Sequence, residues 1–235
     1  MSDSFFKFER EGIDFPFYNS NPKLNKLDWI LLLISVLVIS FLYSITDPPL
    51  IYWIVYLLPM VTILIICRFK LSLIFKKLTK KDIALMVVLT IWSISTSIIL
   101  YDLLSLCINL PPEESSLFVP FGLSTPYLLE TLRLAIDLIN EELFKFSIFI
   151  LVLALVYKLS GNRKMGVVCA AFVTMVIFGA WHFTGDGGLM KLISDIIGRG
   201  LGSICEVYSY VKTKNVLISY FIHLFFDIYC DLPFF

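Results

Sequence analysis

The chain has 235 residues, balances 19 basic against 19 acidic side chains, and is 58% hydrophobic and only 16% charged, with a mean hydropathy of +0.87. Soluble domains average about 45–50% apolar and about 25% charged residues, and one core of this size has no room for so much apolar surface. The arithmetic excludes soluble enzymes, nucleic-acid binders and disordered chains, and leaves an all-α, polytopic transmembrane helical bundle.

Residues 1–28 form an N-terminal arm. Asp3, Glu9, Glu11 and Asp14 interrupt any apolar run, which argues against a cleavable signal peptide. Phe5, Phe6, Phe8, Phe15 and Phe17 point to an arm lying at the membrane surface. A crossing helix needs about 20 mostly apolar residues, because lipid offers backbone groups no partner. Seven segments qualify: 29–46, 50–67, 83–109, 127–157, 166–184, 189–211 and 215–230. Asp47-Pro48-Pro49 predicts a tight reversal between the first two. The first three, over 29–109, carry no motif. The fourth is unusual, since Glu130, Arg133 and Asp137 precede its apolar half.

Lysines and arginines number four in the arm, six between the second and third segments, three after the fourth and two after the sixth. The alternate connections 47–49, 110–126 and 185–188 have none. That alternation predicts a cytoplasmic N-terminus by the positive-inside rule, and a multi-pass protein of the cell membrane whose standing partners are lipids. The five cysteines (Cys67, Cys107, Cys169, Cys205, Cys230) form no CxxC or metal-type spacing and read as buried thiols.

Ionisable groups inside spans are costly, so each is a functional candidate. Glu141, Glu142 and Lys145 lie on the fourth segment, His182 ends the fifth, Asp195, Arg199 and Glu206 lie on the sixth, and His223 and Asp227 on the seventh. These are the only two histidines in the chain. A rise of about 1.5 Å per residue puts Glu141 and His182 both roughly 24 Å from the basic side, so one shared site is geometrically possible.

Glu141-Glu142 with Phe146, then Phe178-x-x-x-His182, then His223-x-x-x-Asp227, in this order on separate spans, resemble the three motifs of the CPBP family. These are CAAX-processing and bacteriocin-processing intramembrane proteases, also called the Abi family, with the pattern EExxxR, FxxxH and HxxxN or HxxxD. The stretch Tyr208–His223 resembles the family's approach to its last motif, and the likeness covers roughly 127–230. The resemblance implies a membrane-embedded endopeptidase acting on a membrane-associated peptide, prenylated (CAAX-type) in some members and a bacteriocin or signalling peptide in others. It places Glu141 and His182 on the attacking water, and His223 with residue 227 at the oxyanion.

One position departs: Phe146 stands where the motif has arginine. Lys145, four residues after Glu141, is expected to reach that carboxylate along the helix, without arginine's bidentate fork. An aspartate at 227 donates a hydrogen bond only when protonated, so Asp227 would serve instead to orient His223 or to support a metal. Glu141, His182 and His223 would also make a three-ligand zinc site with one open position, so metal-dependent and metal-free hydrolysis both stay open.

Glu142 is read as either a brace or a catalytic group, Asp195 and Arg199 as an intrahelical pair, and Gly198, Gly200 and Gly202 as sites of close helix packing. Glu206 has no evident partner. The Phe146 departure keeps a non-catalytic scaffold or bacteriocin-immunity protein as the alternative. A proton-coupled transporter could also use Glu and His residues inside the membrane, but the chain lacks the repeated halves and interrupted helices expected of many transporters.

Overall fold

The computed structural model describes residues 5–19, 22–42, 49–106, 125–183, 185 and 188–230. The reversal at 47–48, most of the connection 110–126 and Cys107 lie outside them. The described chain is all helical: α1 Lys26–Leu42, α2 Pro49–Ile66, α3 Lys80–Ser105, α4 Thr125–Ser160, α5 Arg163–Trp181, α6 Gly188–Asp195, α7 Ile204–Thr213 and α8 Val216–Cys230, with a π-helical turn Ile196–Leu201 between α6 and α7. α3, α4 and α5 are each long and apolar enough to cross a membrane, as expected of an integral membrane protein.

α4 is the axis of the bundle. At 36 residues it is roughly 54 Å long, well beyond the hydrocarbon core of about 30 Å. Its polar first half is self-compensating, since Arg133 lies 3.7 Å from Glu130 and 3.8 Å from Asp137 on the helix exterior. From Glu142 to Ile150 every side chain is buried, the pattern of a helix surrounded on all sides. α1, α2, α5 and α8 pack around it, and α3 and α7 complete the wall behind α8.

Local chemistry fixes the helix ends. Thr79 caps α3 in a reciprocal capping box with Asp82, and Asn162 caps α5 by accepting from the Met165 amide at 3.1 Å. α7 stops at Lys214, which takes a left-handed conformation with φ +53°. Asn215 then ties the α7–α8 turn to the basic connection: its Oδ1 accepts from the Lys76 amide, and its Nδ2 donates to the Lys76 carbonyl, both at 3.0 Å.

Two expectations from the sequence need correction. The arm does not simply lie on the surface. Phe5 and Phe8 stay exposed, but Phe15, Phe17 and Tyr18 enter the main core, where Phe15 packs 5.3 Å from Phe149 and Phe17 6.5 Å from Phe146. Burying those rings gains more than a surface position would, and a charged clamp holds them there. Arg163 donates bidentately to Glu9 at 2.9 and 2.6 Å and to Asp14 at 2.9 Å, while Lys214 donates to Glu9 at 2.6 Å. Burial alone would raise the Glu9 pKa, but the bonds from Arg163 and Lys214 overcome it and lower it to about 2. Arg10 pairs with buried Asp82 and donates its amide to the Lys212 carbonyl at 2.9 Å. The basic segments that alternate along the sequence thus meet at one end of the bundle.

The second correction concerns segment 189–211, which is not one helix. A Cβ on Gly179 of α5 would sit 2.6 Å from the Ile196 Cα and 3.0 Å from the Gly200 Cα, and one on Gly200 would sit 2.6 Å from the Met175 carbonyl oxygen. The backbones touch at this glycine pair, and the chain widens into the π turn there, a distortion common at functional sites. Gly200 therefore packs closely as expected, whereas Gly198 and Gly202 meet nothing nearer than 3.5 Å. The wider turn also removes the four-residue register between Asp195 and Arg199. Asp195 pairs with Lys191, one regular turn earlier.

Candidate active site

α4 supplies Glu141, Glu142 and Lys145, the C-terminal end of α5 supplies Phe178 and His182, α7 supplies Glu206, and α8 supplies Ser219, His223 and Asp227. Two consecutive helix pairs thus converge, and His223 lies at their meeting point. Its Nδ1 lies 2.9 Å from Glu142 Oε1, 3.3 Å from Lys145 Nζ and 4.0 Å from Glu206 Oε2. Its Nε2 faces the other way, 4.0 Å from Glu141 Oε2 and 3.8 Å from Asp227 Oδ1.

The two ring nitrogens divide the site. On the Nδ1 side the side chains of Glu142, Lys145 and Glu206 are 3%, 5% and 4% exposed. Lys145 bonds both carboxylates, its ammonium lies 4.3 Å from the Phe178 ring centroid, and Ser219 donates to the second oxygen of Glu142. A further cavity of about 20 Å³ behind this cluster is lined by Glu142, Lys145, Thr174, Tyr210 and Ser219. On the Nε2 side, Glu141 and Asp227 are 23% and 19% exposed. Charges are sealed and mutually satisfied on one side of the ring, and open to an incoming group on the other.

His182 caps the end of α5, with Nδ1 2.8 Å from the Phe178 carbonyl oxygen. Since that oxygen can only accept, Nδ1 carries the proton and Nε2 is left as the acceptor. The Phe178 ring stands edge-on to both imidazoles, with centroids 4.7 Å from His182 and 6.0 Å from His223. Phe178 thereby spaces the two histidines, and His182 stays within electrostatic range of His223, Lys145 and Arg199.

Lys145 does not take the role expected of it. Its ammonium bonds Glu142, three residues back, and Glu206 on α7. Glu206, which had no evident partner in the sequence, is therefore part of the cluster, and only the bend at the π turn brings it in. Phe146 brings no charge: it is 3% exposed, packs edge-on against Tyr210 at 5.4 Å and lines the small cavity beside Glu142. A positive charge thus stands one residue before the motif position and meets two carboxylates.

The zinc ligands suggested by the sequence were Glu141, His182 and His223. Among the described residues, the histidine, cysteine and carboxylate ligand atoms that gather within 4.8 Å of one another belong to Glu142, Glu206 and His223. His182 is turned onto its own helix, and Glu141 stands on the far side of the His223 ring. The gathered set does not fit a metal while Lys145 is in place, because its ammonium lies against the same three side chains.

Residues 129–229 match the family model described as type II CAAX prenyl endopeptidase Rce1-like. No curated protein and no solved structure matches the chain. The matched segment contains the glutamate pair, both histidines, Glu206 and Asp227. Over these residues, less than half of its length, the chain is similar to the CAAX-protease family of intramembrane endopeptidases.

Proposed function

We propose that the protein hydrolyses a peptide bond in a membrane-associated substrate, with the basic end of the bundle cytoplasmic and a C-terminally prenylated, CAAX-type peptide as the first substrate class to test. The observation that carries this reading is the two-sided environment of His223, braced through Nδ1 by Glu142 at 2.9 Å and presenting Nε2 to Glu141 and Asp227 at 4.0 and 3.8 Å. Those two gaps are too long for direct hydrogen bonds and suit a bridging water or a reacting oxygen.

In this reading Glu141 is the general base. It removes a proton from water as the water oxygen bonds to the scissile carbonyl carbon, and the carbonyl π electrons move onto oxygen. His182, with Nδ1 on the Phe178 carbonyl oxygen, accepts the second proton of the same water at Nε2 and so orients it. The oxyanion is met by Nε2–H of His223 when that ring carries both protons, an interaction worth about 3–4 kcal/mol where a comparable donor has been removed from an enzyme. Collapse of the intermediate breaks the C–N bond, and the proton held by Glu141 passes to the leaving nitrogen. Glu142 and Lys145 are positioning residues, and Asp227 steadies the imidazolium through its carboxylate.

The test is cleavage of a farnesylated CAAX peptide and of an unmodified membrane-inserted peptide by the purified protein in lipid vesicles. Glu141→Gln, His182→Ala and His223→Ala are each expected to lose at least roughly 100-fold in rate while inserting normally. Full activity in all three variants would end the proposal, and cleavage of the unmodified peptide alone would reassign the substrate class.

A further inference from the structure

The geometry assigns Lys145 as the resident cation of the Glu142–Glu206–His223 triad: its ammonium occupies a divalent-metal position built from those three side chains, and its removal converts the triad into a metal site. The inference deepens the hydrolytic reading above, since it bears on how that same centre works, but its test needs no substrate.

Imidazole nitrogen and carboxylate oxygen are both zinc ligands, and ligands about 2.0–2.1 Å from a tetrahedral ion lie roughly 3.3 Å apart. His223 Nδ1 is 2.9 Å from Glu142 Oε1 and 4.0 Å from Glu206 Oε2, which brackets that spacing. All three residues are buried, and their helices are held by the main bundle. Lys145 Nζ touches each of the three: it bonds Glu142 Oε1 and Glu206 Oε2 and stands 3.3 Å from His223 Nδ1. Phe178 covers the ammonium at 4.3 Å, an arrangement that favours a desolvated cation.

The charges give the same answer. Glu142 and Glu206 contribute two negative charges within one sealed pocket, and Lys145 offsets one. A metal entering beside the ammonium would sit against a like charge in a medium that screens poorly. With the ammonium removed, two carboxylates face His223, and a divalent ion can enter as the Nδ1 proton of that ring is released, since a ligating imidazole must be deprotonated at the ligating nitrogen.

The experiment compares wild type, E206Q, K145M, K145A and K145M/E206Q after chelator treatment in detergent. Bound zinc is measured by elemental analysis and competition with a chromophoric chelator, and the thermal midpoint is followed with and without zinc. K145M, which keeps an unbranched side chain without the charge, is expected to bind about one zinc per chain and roughly tenfold or more tighter than wild type. Its midpoint should rise with zinc concentration, and K145M/E206Q should lose both effects. K145A provides the same reading without a side chain reaching into the pocket. Stoichiometric zinc on wild type that E206Q removes would overturn the inference, as would K145M and K145A binding no more zinc than wild type. Loss of peptide cleavage in wild type would refute the proposed function and leave these binding results standing.

Discussion

Gly179 offers the sharpest test of how the fold holds its site. The residue follows Phe178, three positions before His182, and it is where α5 meets the π turn. An alanine there would place Cβ 2.6 Å from the Ile196 Cα, 2.8 Å from the Asp195 carbonyl oxygen and 3.0 Å from the Gly200 Cα. Non-bonded carbons rest at about 3.5–4.0 Å, so the two backbones must part by roughly 1 Å, with no flexible side chain to yield. Overpacking of this kind costs about 1–3 kcal/mol, and backbone rather than side-chain displacement puts Gly179→Ala at the upper end. The same shift displaces Phe178 and His182 relative to α8, and a displacement of about 1 Å at a reacting group costs on the order of 100-fold in rate. Gly198→Ala is the control, because its Cβ meets only Leu104 Cδ1 at 4.0 Å and should change stability by less than about 0.5 kcal/mol. Thermal unfolding in detergent and peptide cleavage in vesicles are read for both. Equal stability and activity of the two variants would refute the close contact.

Three further outcomes are expected. Glu9→Ala leaves Arg163 and Lys214 buried with only Asp14 nearby and should destabilise the fold by about 3–5 kcal/mol, as removal of one buried ion-pair partner does; denaturation of the purified variant checks it. The Glu9 pKa is depressed from 4.5 to about 2 by the bonds that outweigh its burial. Its contribution is therefore complete above about pH 4.5 and is lost as pH falls from there toward 2, and Glu9→Gln should flatten that part of the stability profile. Asp227→Asn should keep activity within about tenfold of wild type, because an amide can still hydrogen-bond near His223 Nε2 and can donate, whereas Asp227→Ala should lose considerably more in the same cleavage assay.

Much of this architecture was legible in the sequence because lipid makes one demand of every span. Long apolar runs located the helices to within a few residues, and α8 begins one residue after its predicted start. The two histidines and the glutamate pair stood out because hydrocarbon excludes such groups. The path of the arm was hidden, since Phe15 and Phe17 carry the same apolar character whether they lie on a membrane or in a core. What separates the two is the Glu9 clamp to Arg163 and Lys214, more than 150 residues away. The break at Ile196–Leu201 was hidden too, because Gly198, Gly200 and Gly202 lie close together in the sequence while only Gly200 is pressed against α5.

The substitution at Phe146 shows why a motif is better read as charges than as letters. Position 146 carries a ring that packs with Phe17 and Tyr210 and lines the small cavity beside Glu142, so it brings that carboxylate no charge. Lys145, one step around the helix, faces Glu142 and His223. An arginine fork can satisfy a carboxylate bidentately, whereas an ammonium is a point charge with three donors. It therefore uses a second acceptor, and Glu206 supplies one from α7. Lys145 and Glu206 thus act as one unit in this chain. The pairing makes a definite demand: Glu206→Gln should weaken the hold on Lys145 and disturb His223, while Lys145→Met with Glu206→Gln should cost less stability than the sum of the two single changes. Strict additivity in a double-mutant cycle would mean that Lys145 and Glu206 do not act together.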